Sequence, residues 1–304
     1  MTSIFSILRY LRLKFLVSFI RFASKLLAPF PKPKPDSILR IPSRDKRYTI
    51  KIHLYKPSTE GVGENGPHPV LISFYGSGFA LTHHGMDDSF CRHIATATDY
   101  VVLDVQYRVG PENPFPASIN DVQDAVKYVF DHPDEYKTSQ VSVSGFSSGG
   151  TLALVTPLLF PRGTFRSVTA FYPATDLASD PALRRPPAAN AKPRSTYWTK
   201  VFRQGYIGEM DARDPRISPA YADTANYPSD VLVVTGELDS SALEAEELAE
   251  KIKNDTQAGR RNVVIRRMKG CGHGFDKKNK YKVDIEARDE TYGLVVDMLK
   301  KVAN

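Results

Sequence analysis

The chain has 304 residues, 41% hydrophobic and 25% charged, the ordinary mix of a folded globular protein, which excludes a disordered, collagen-like or polytopic membrane chain. Its two cysteines, Cys91 and Cys271, allow one disulfide at most and no four-thiolate metal centre, so a reducing, cytoplasmic setting fits best. The net charge of +7 is localised: residues 1–56 hold 13 Lys and Arg against 2 acids, and the remainder holds 28 against 32. A basic end segment on a mildly acidic body offers no spread of cations for a nucleic-acid partner.

From Ile4 to Leu27 the sequence is apolar and aromatic, broken by Arg9, Arg12, Lys14, Arg21 and Lys25. The uncharged run Phe15 to Ile20 is shorter than the ~20 apolar residues of a spanning helix or the ~7–15 of a secretory signal core. At helical spacing Lys14, Ser18, Arg21 and Lys25 share one stripe and nearly everything else is apolar, so the helix must bury most of its surface. Three partners could cover it: the protein's own body, a lipid headgroup layer giving peripheral contact with an intracellular membrane, or an organelle import receptor. Pro29, Pro31, Pro33 and Pro35 then alternate with Phe30, Lys32 and Lys34, an extended spacer that ends the helix. The folded sheet is expected after it, dividing the chain into a segment over 1–47 and a main domain over 48–304.

Tyr48, Ile50, Ile52 and Leu54 alternate with polar neighbours and predict a half-exposed strand. Buried-strand runs follow at Val70 to Phe74, Val101 to Val105, Val141 to Ser144, Val168 to Phe171, Val231 to Thr235 and Val263 to Arg266. Helical stretches lie between them at Asp87 to Thr98, Ile119 to Phe130, Gly149 to Leu159 and Leu243 to Asn254, with a closing helix over Asp284 to Val302. That alternation predicts an α/β fold with a mostly parallel central sheet and helices on both faces, because parallel strands need crossovers. The rhythm breaks from Leu177 to Pro228, where prolines and the only tryptophan, Trp198, lie in a stretch without a clear strand. Such an insertion is read as a cap over the carboxyl ends of the strands.

Gly145-Phe146-Ser147-Ser148-Gly149 follows a strand and opens a helix, the setting in which a GxSxG turn holds its serine out at the sheet edge. Ser147 is the candidate nucleophile. A serine hydroxyl is unreactive at neutral pH, so it needs a base and an orienting acid. In strand–turn–helix hydrolytic sites both follow the serine in the chain. Six of the seven histidines precede Ser147, which leaves His273. The acid is Asp239 or its neighbour Glu237, just past the strand Val231 to Thr235; Asp239 is preferred because it lies deeper in the loop. The group His83, His84, Asp87 and Asp88 lacks metal-ligand spacing and reads as a solvated loop. The run Lys277, Lys278, Lys280 and Lys282 reads as a solvated face.

These motifs resemble the hormone-sensitive-lipase-like branch of the α/β-hydrolases, which includes many fungal esterases, over roughly residues 48–300. Tyr107 to Ala117 is similar to the family's YRLAPEHPFPA segment, and Gly145 to Gly150 to its GDSAGG elbow. Tyr172 to Asp176, Ser218-Pro219 and His273-Gly274-Phe275 are similar to further landmarks. Where the family has HGGG, this chain has Tyr75-Gly76-Ser77-Gly78. The resemblance implies an α/β-hydrolase fold with a helical cap, and an oxyanion hole from the amides of Gly76, Ser77 and Ser148. It also favours packing of the first helix on the protein's own body.

The sequence therefore predicts a serine carboxylic-ester hydrolase, with Ser147, His273 and Asp239 as its triad and no metal or organic cofactor. Its substrate is expected to be a hydrophobic small-molecule ester with a short acyl group, as for a deacetylase tailoring a fungal secondary metabolite. Two rivals stand beside this: the same triad cleaving an amide, thioester or enzyme-bound polyketide, and a non-catalytic small-molecule binding protein on the same scaffold. The binding proteins of the family lack the catalytic histidine.

Overall fold

The computed structural model describes residues 4–27, 31–58, 66–255, 259, 261–278 and 280–303. Eight strands, β1 (Ser37–Pro42), β2 (Thr49–Tyr55), β3 (His68–Phe74), β4 (Val101–Val105), β5 (Tyr136–Phe146), β6 (Ser167–Phe171), β7 (Asp230–Gly236) and β8 (Asn262–Met268), form one sheet. Their order is β1-β2-β4-β3-β5-β6-β7-β8. The β1/β2 and β2/β4 pairs are antiparallel and all others parallel.

The period-two alternation of the strands feeds two cores. Val70, Ile72 and Phe74 of β3, with Val231 and Val233 of β7, face one side, and Leu71, Leu232 and Val234 face the other. The first side is covered by α3 (Ala117–Phe130), α4 (Ser148–Val155) and α6 (Ala242–Lys253), the second by α2 (Asp88–Ala97) and α7 (Lys282–Ala303). Central strands buried on both faces read as continuous apolar runs rather than alternating ones, which is why β3, β4, β6 and β7 were visible as short hydrophobic blocks.

Two expectations shift. The sheet begins at Ser37, inside the segment assigned to the terminal element, because β1 pairs with β2 residue by residue from Ser37↔Leu54 to Pro42↔Thr49. The second half of β2, expected to be half-exposed, is buried on both faces, since β2 lies between β1 and β4.

Of the proline spacer, Pro29 and Phe30 lie outside the described residues. The first helix, α1 (Ile4–Leu27), buries little of itself: Leu13 and Val17 pack with Ala80 and with Val201 of α5 (Thr196–Ile207). Arg21 does not belong to a solvent stripe. It donates to Glu112 at 2.9 and 3.0 Å and to the carbonyls of Ala80 and Gly110 at 2.8 Å each, which pins α1 to the body. No helix among the described residues is long and apolar enough to cross a membrane.

Candidate active site

The carboxyl ends of β3, β5, β6 and β7 lie in register, with Phe74 opposite Gly145, Phe146 opposite Phe171 and Phe171 opposite Val234. At this edge β5 turns into α4 through Ser147, whose φ of 53° and ψ of −115° are strained for a residue with a side chain. The turn closes only because its flanks are glycines. A Cβ on Gly145 would lie 2.1 Å from the Gly149 carbonyl oxygen, and one on Gly149 would lie 1.9 Å from that of Phe74.

The loop after β8 brings His273 back over this turn, and the loop after β7 brings Asp239 behind it. Ser147 Oγ lies 2.8 Å from His273 Nε2, and His273 Nδ1 lies 2.7 Å from Asp239 Oδ2. With Nδ1–H donated to the carboxylate, Nε2 keeps the lone pair that can take the serine proton. Asp239 is fully buried, yet its pKa is lowered: burial would raise it, and the His273 ring, Arg194 and the Ser241 N–H outweigh that. The pKa of His273 is also lowered, first by burial and then by the Arg194 cation, against the opposing pull of Asp239. Glu237, the competing acid, instead accepts the Gly270 N–H at 2.8 Å, away from the imidazole.

In the loop after β3 one of the three expected oxyanion amides is already engaged. The amide of Ser77 donates to Ser148 Oγ at 2.8 Å. Gly76 packs on the elbow, where a Cβ would meet the Phe146 carbonyl oxygen at 3.2 Å. The cavity beside Ser147, about 160 Å³, is lined from this loop by Gly78 and Phe79 rather than by Gly76 or Ser77. Ser148 lines it too, and as the first residue of α4 its N–H has no intrahelical acceptor.

Behind the loop the hydroxyls of Tyr107, Ser77 and Ser148 form a relay that motif matching did not reveal. Tyr107 Oη donates to the Tyr75 carbonyl at 2.6 Å, so the Ser77 hydroxyl, 2.8 Å away, gives its proton to Tyr107 and accepts the Phe79 N–H at 2.9 Å. The ring of Tyr75 stacks on Tyr107 at 4.5 Å. Tyr75 thus shapes the loop in place of the family histidine.

The two polar groups read as solvated are partly interior. Lys277 sits between the buried carboxylates of Asp87 and Asp276, 2.7 Å from Asp276, with its ammonium over the Phe146 ring. Burial lifts the pKa of Asp87 to about 7, with Lys277 opposing. The side chain of His84 is buried beside His53 and Asp104, its Nε2 3.3 Å from Asp104 Oδ2. His53, His84 and Asp104 could together offer three metal ligands. The two imidazoles, however, stack at 4.1 Å with planes inclined by only 27°. Planes so nearly parallel meet far beyond the ~2 Å of a metal–imidazole bond, so one ion cannot sit in both.

The insertion expected to form a cap, Leu177 to Pro228, contributes α5 and short 3₁₀ turns. Its Leu177, Trp198 and Phe202 wall the cavity, together with Arg184, Arg194 and Arg203. No spacing singled these arginines out; the only signal was their density within an insertion otherwise noted for its prolines and its tryptophan.

The family model described as alpha/beta hydrolase fold matches residues 71–277. The chain is similar to Esterase LipI of Mycobacterium tuberculosis, 29% identical over 203 residues, 62% of this chain and 60% of that protein. It is also similar to an ethyl acetate hydrolase of Pseudomonas putida, 26% identical over 278 residues, 88% of this chain and 84% of that one. The chain spans about three fifths of the length of the mycobacterial curated relatives it matches. Among solved structures an esterase of Pyrobaculum calidifontis superposes with a TM-score of 0.77 at 27% identity, covering 96% of this chain and 93% of that one. The family match covers more than half of the chain and agrees with the strand order and the serine turn; the chain belongs to the alpha/beta hydrolase fold family, as its hormone-sensitive-lipase-like motifs imply.

Proposed function

We propose that the protein is a serine carboxylic-ester hydrolase acting through an acyl-enzyme. The observation that carries this is the continuous Ser147–His273–Asp239 relay opening on a cavity. Ser147 Oγ attacks the ester carbonyl while His273 Nε2 takes its proton and then returns it to the leaving alcohol; water repeats the sequence on the acyl-enzyme. Asp239 holds the tautomer and stabilises the imidazolium. The tetrahedral anion is assigned to the amides of Ser148 and Gly78, two residues that line the cavity; the Ser77 amide joins them only on leaving Ser148 Oγ.

Phe79, Leu177, Trp198 and Phe202 give the cavity an apolar wall suited to the hydrophobic body of a small ester. A short acyl group is supported by the P. putida relative, whose name specifies an acetyl ester. A deacetylase tailoring small metabolites agrees with both. Steady-state rates on matched acetyl ester, thioester and amide substrates test the reading. Ester turnover abolished by Ser147→Ala is expected; amide or thioester turnover without ester turnover would replace it.

A separate observation supports peripheral membrane contact. At 3.6 residues per turn Ile4, Leu8, Leu11, Phe15, Phe19, Phe22 and Leu26 share the face of α1 opposite Leu13 and Val17, and each is 53–71% exposed. Arg12 borders that face on one side and Lys14 and Lys25 on the other, the arrangement of a helix lying in a lipid interface. The two free, buried cysteines agree with a cytoplasmic location. Co-sedimentation with anionic vesicles, lost in Phe15→Ser/Phe19→Ser/Phe22→Ser, is expected; an unbound native protein would refute the contact.

A further inference from the structure

Among the described residues the cavity beside Ser147 is lined by three arginines and by no aspartate or glutamate. Two are committed to the protein. Arg184 pairs with Glu244 at 2.6 Å and donates to the Asp176 carbonyl, and Arg203 donates to the carbonyls of Ser179 and Asp176. Arg194 is different. Its backbone N–H is fixed by Ser240 Oγ at 3.0 Å, but among the described residues no carboxylate lies within ion-pair distance of its guanidinium.

Arg194 Nη1 lies 3.2 Å from His273 Nδ1. That nitrogen already gives its proton to Asp239, so it has no lone pair for the guanidinium N–H. The contact is a cation beside a ring rather than a hydrogen bond. A guanidinium keeps its charge at any physiological pH and presents planar, paired donors that match a carboxylate. Glu244 offsets the charge of Arg184, and Asp239 acts on Arg194 only from beyond ion-pair distance, so an anion in the cavity would add the paired contact that Arg194 lacks.

We propose that Arg194 anchors a carboxylate carried by the ester substrate, with Arg203 adding to the positive field. The preferred substrate then combines an apolar body, set against Trp198 and Phe202, with a free carboxylate placed to reach the cap. The reaction in this proposal rests on the ester-hydrolase reading; the binding subsite does not.

Trp198, the chain's only tryptophan, lines the same cavity, so its fluorescence reports occupancy without turnover. The test titrates Ser147→Ala with 4-acetoxyphenylacetate and with 4-acetoxyphenylacetamide, an acetyl ester of the same shape that is neutral. The carboxylate ligand is expected to bind about tenfold tighter or better, the range of a hydrogen bond to a charged group. That preference should largely vanish in Ser147→Ala/Arg194→Gln, survive in part in Ser147→Ala/Arg194→Lys, and weaken with added salt. Equal affinity for the two ligands, or a preference unchanged by Arg194→Gln in a variant with native circular dichroism, would overturn the proposal. Turnover by the unmutated enzyme is read separately. Carboxylate-selective binding without hydrolysis would leave the subsite standing and remove the esterase reading, whereas hydrolysis of both esters at equal kcat/KM would do the reverse.

Discussion

Ser148→Ala tests which backbone donors hold the oxyanion. The Ser148 hydroxyl is buried; it accepts the Ser77 N–H at 2.8 Å and lies 3.1 Å from Ser77 Oγ and 3.2 Å from Tyr107 Oη. Alanine deletes this acceptor, while the Ser77–Tyr107–Tyr75 chain at 2.8 and 2.6 Å persists. The Ser77 N–H is left buried without a partner, which costs ~1–3 kcal/mol of ground-state stability. The same N–H is then free to turn onto the tetrahedral intermediate, where one donor is worth ~10²–10³ in rate. Part of that gain is spent on reorienting a loop held by Ser77 Oγ, so a rise in kcat of about tenfold is expected, together with a melting point lower by a few degrees. The assay is kcat on a short-acyl nitrophenyl ester with thermal unfolding of the same preparation. A tenfold fall in kcat at an unchanged melting point would refute the reasoning, because it would place the Ser148 hydroxyl itself on the reaction path.

Asp239→Asn is expected to lower kcat by about 10⁴ with the fold intact, since the amide favours the wrong imidazole tautomer; a loss below about tenfold would assign the acid elsewhere. Because the pKa of His273 is lowered and only the neutral ring is a base, kcat/KM should rise with pH through a value below the ordinary ~6.5 and stay level above it. Asp239, Arg194 and Asp276 are the charges acting on that ring. Removing one cation through Arg194→Gln should therefore move the acidic limb to higher pH, and an unmoved limb in the pH–rate profile would contradict the geometry. Lys277→Met strands the buried carboxylates of Asp87 and Asp276 and should cost ~3–5 kcal/mol in denaturant unfolding; a loss under ~1 kcal/mol would mean that the pair is effectively solvated.

The parallel core was legible because strands buried on both faces must be short apolar blocks, and the order serine, acid, histidine left His273 without a competitor. β1 was not, since its burial alternates weakly and its sequence continues the basic segment before it. The hydroxyl relay escaped because Ser77 and Ser148 look like small substitutions for glycine and alanine, and only the fold shows that they face each other. Lys277 was misread because a lysine run says nothing about which member turns inward to meet Asp87, 190 residues earlier. α1 was read as a helix that must bury most of its surface; on the protein's own body only the face of Leu13 and Val17 packs, and the opposite face is the one proposed to meet lipid. Arg194 matters through its position beside His273, and no spacing in the chain reports that.

The central claim is that Ser147 is made nucleophilic by His273. It is tested most directly by the intact mass of the protein after a fluorophosphonate reagent, followed by peptide mapping. One adduct per chain on Ser147 is predicted, absent in Ser147→Ala and strongly slowed in His273→Ala. A folded protein that takes up no label, or takes it up at another residue, would contradict the claim.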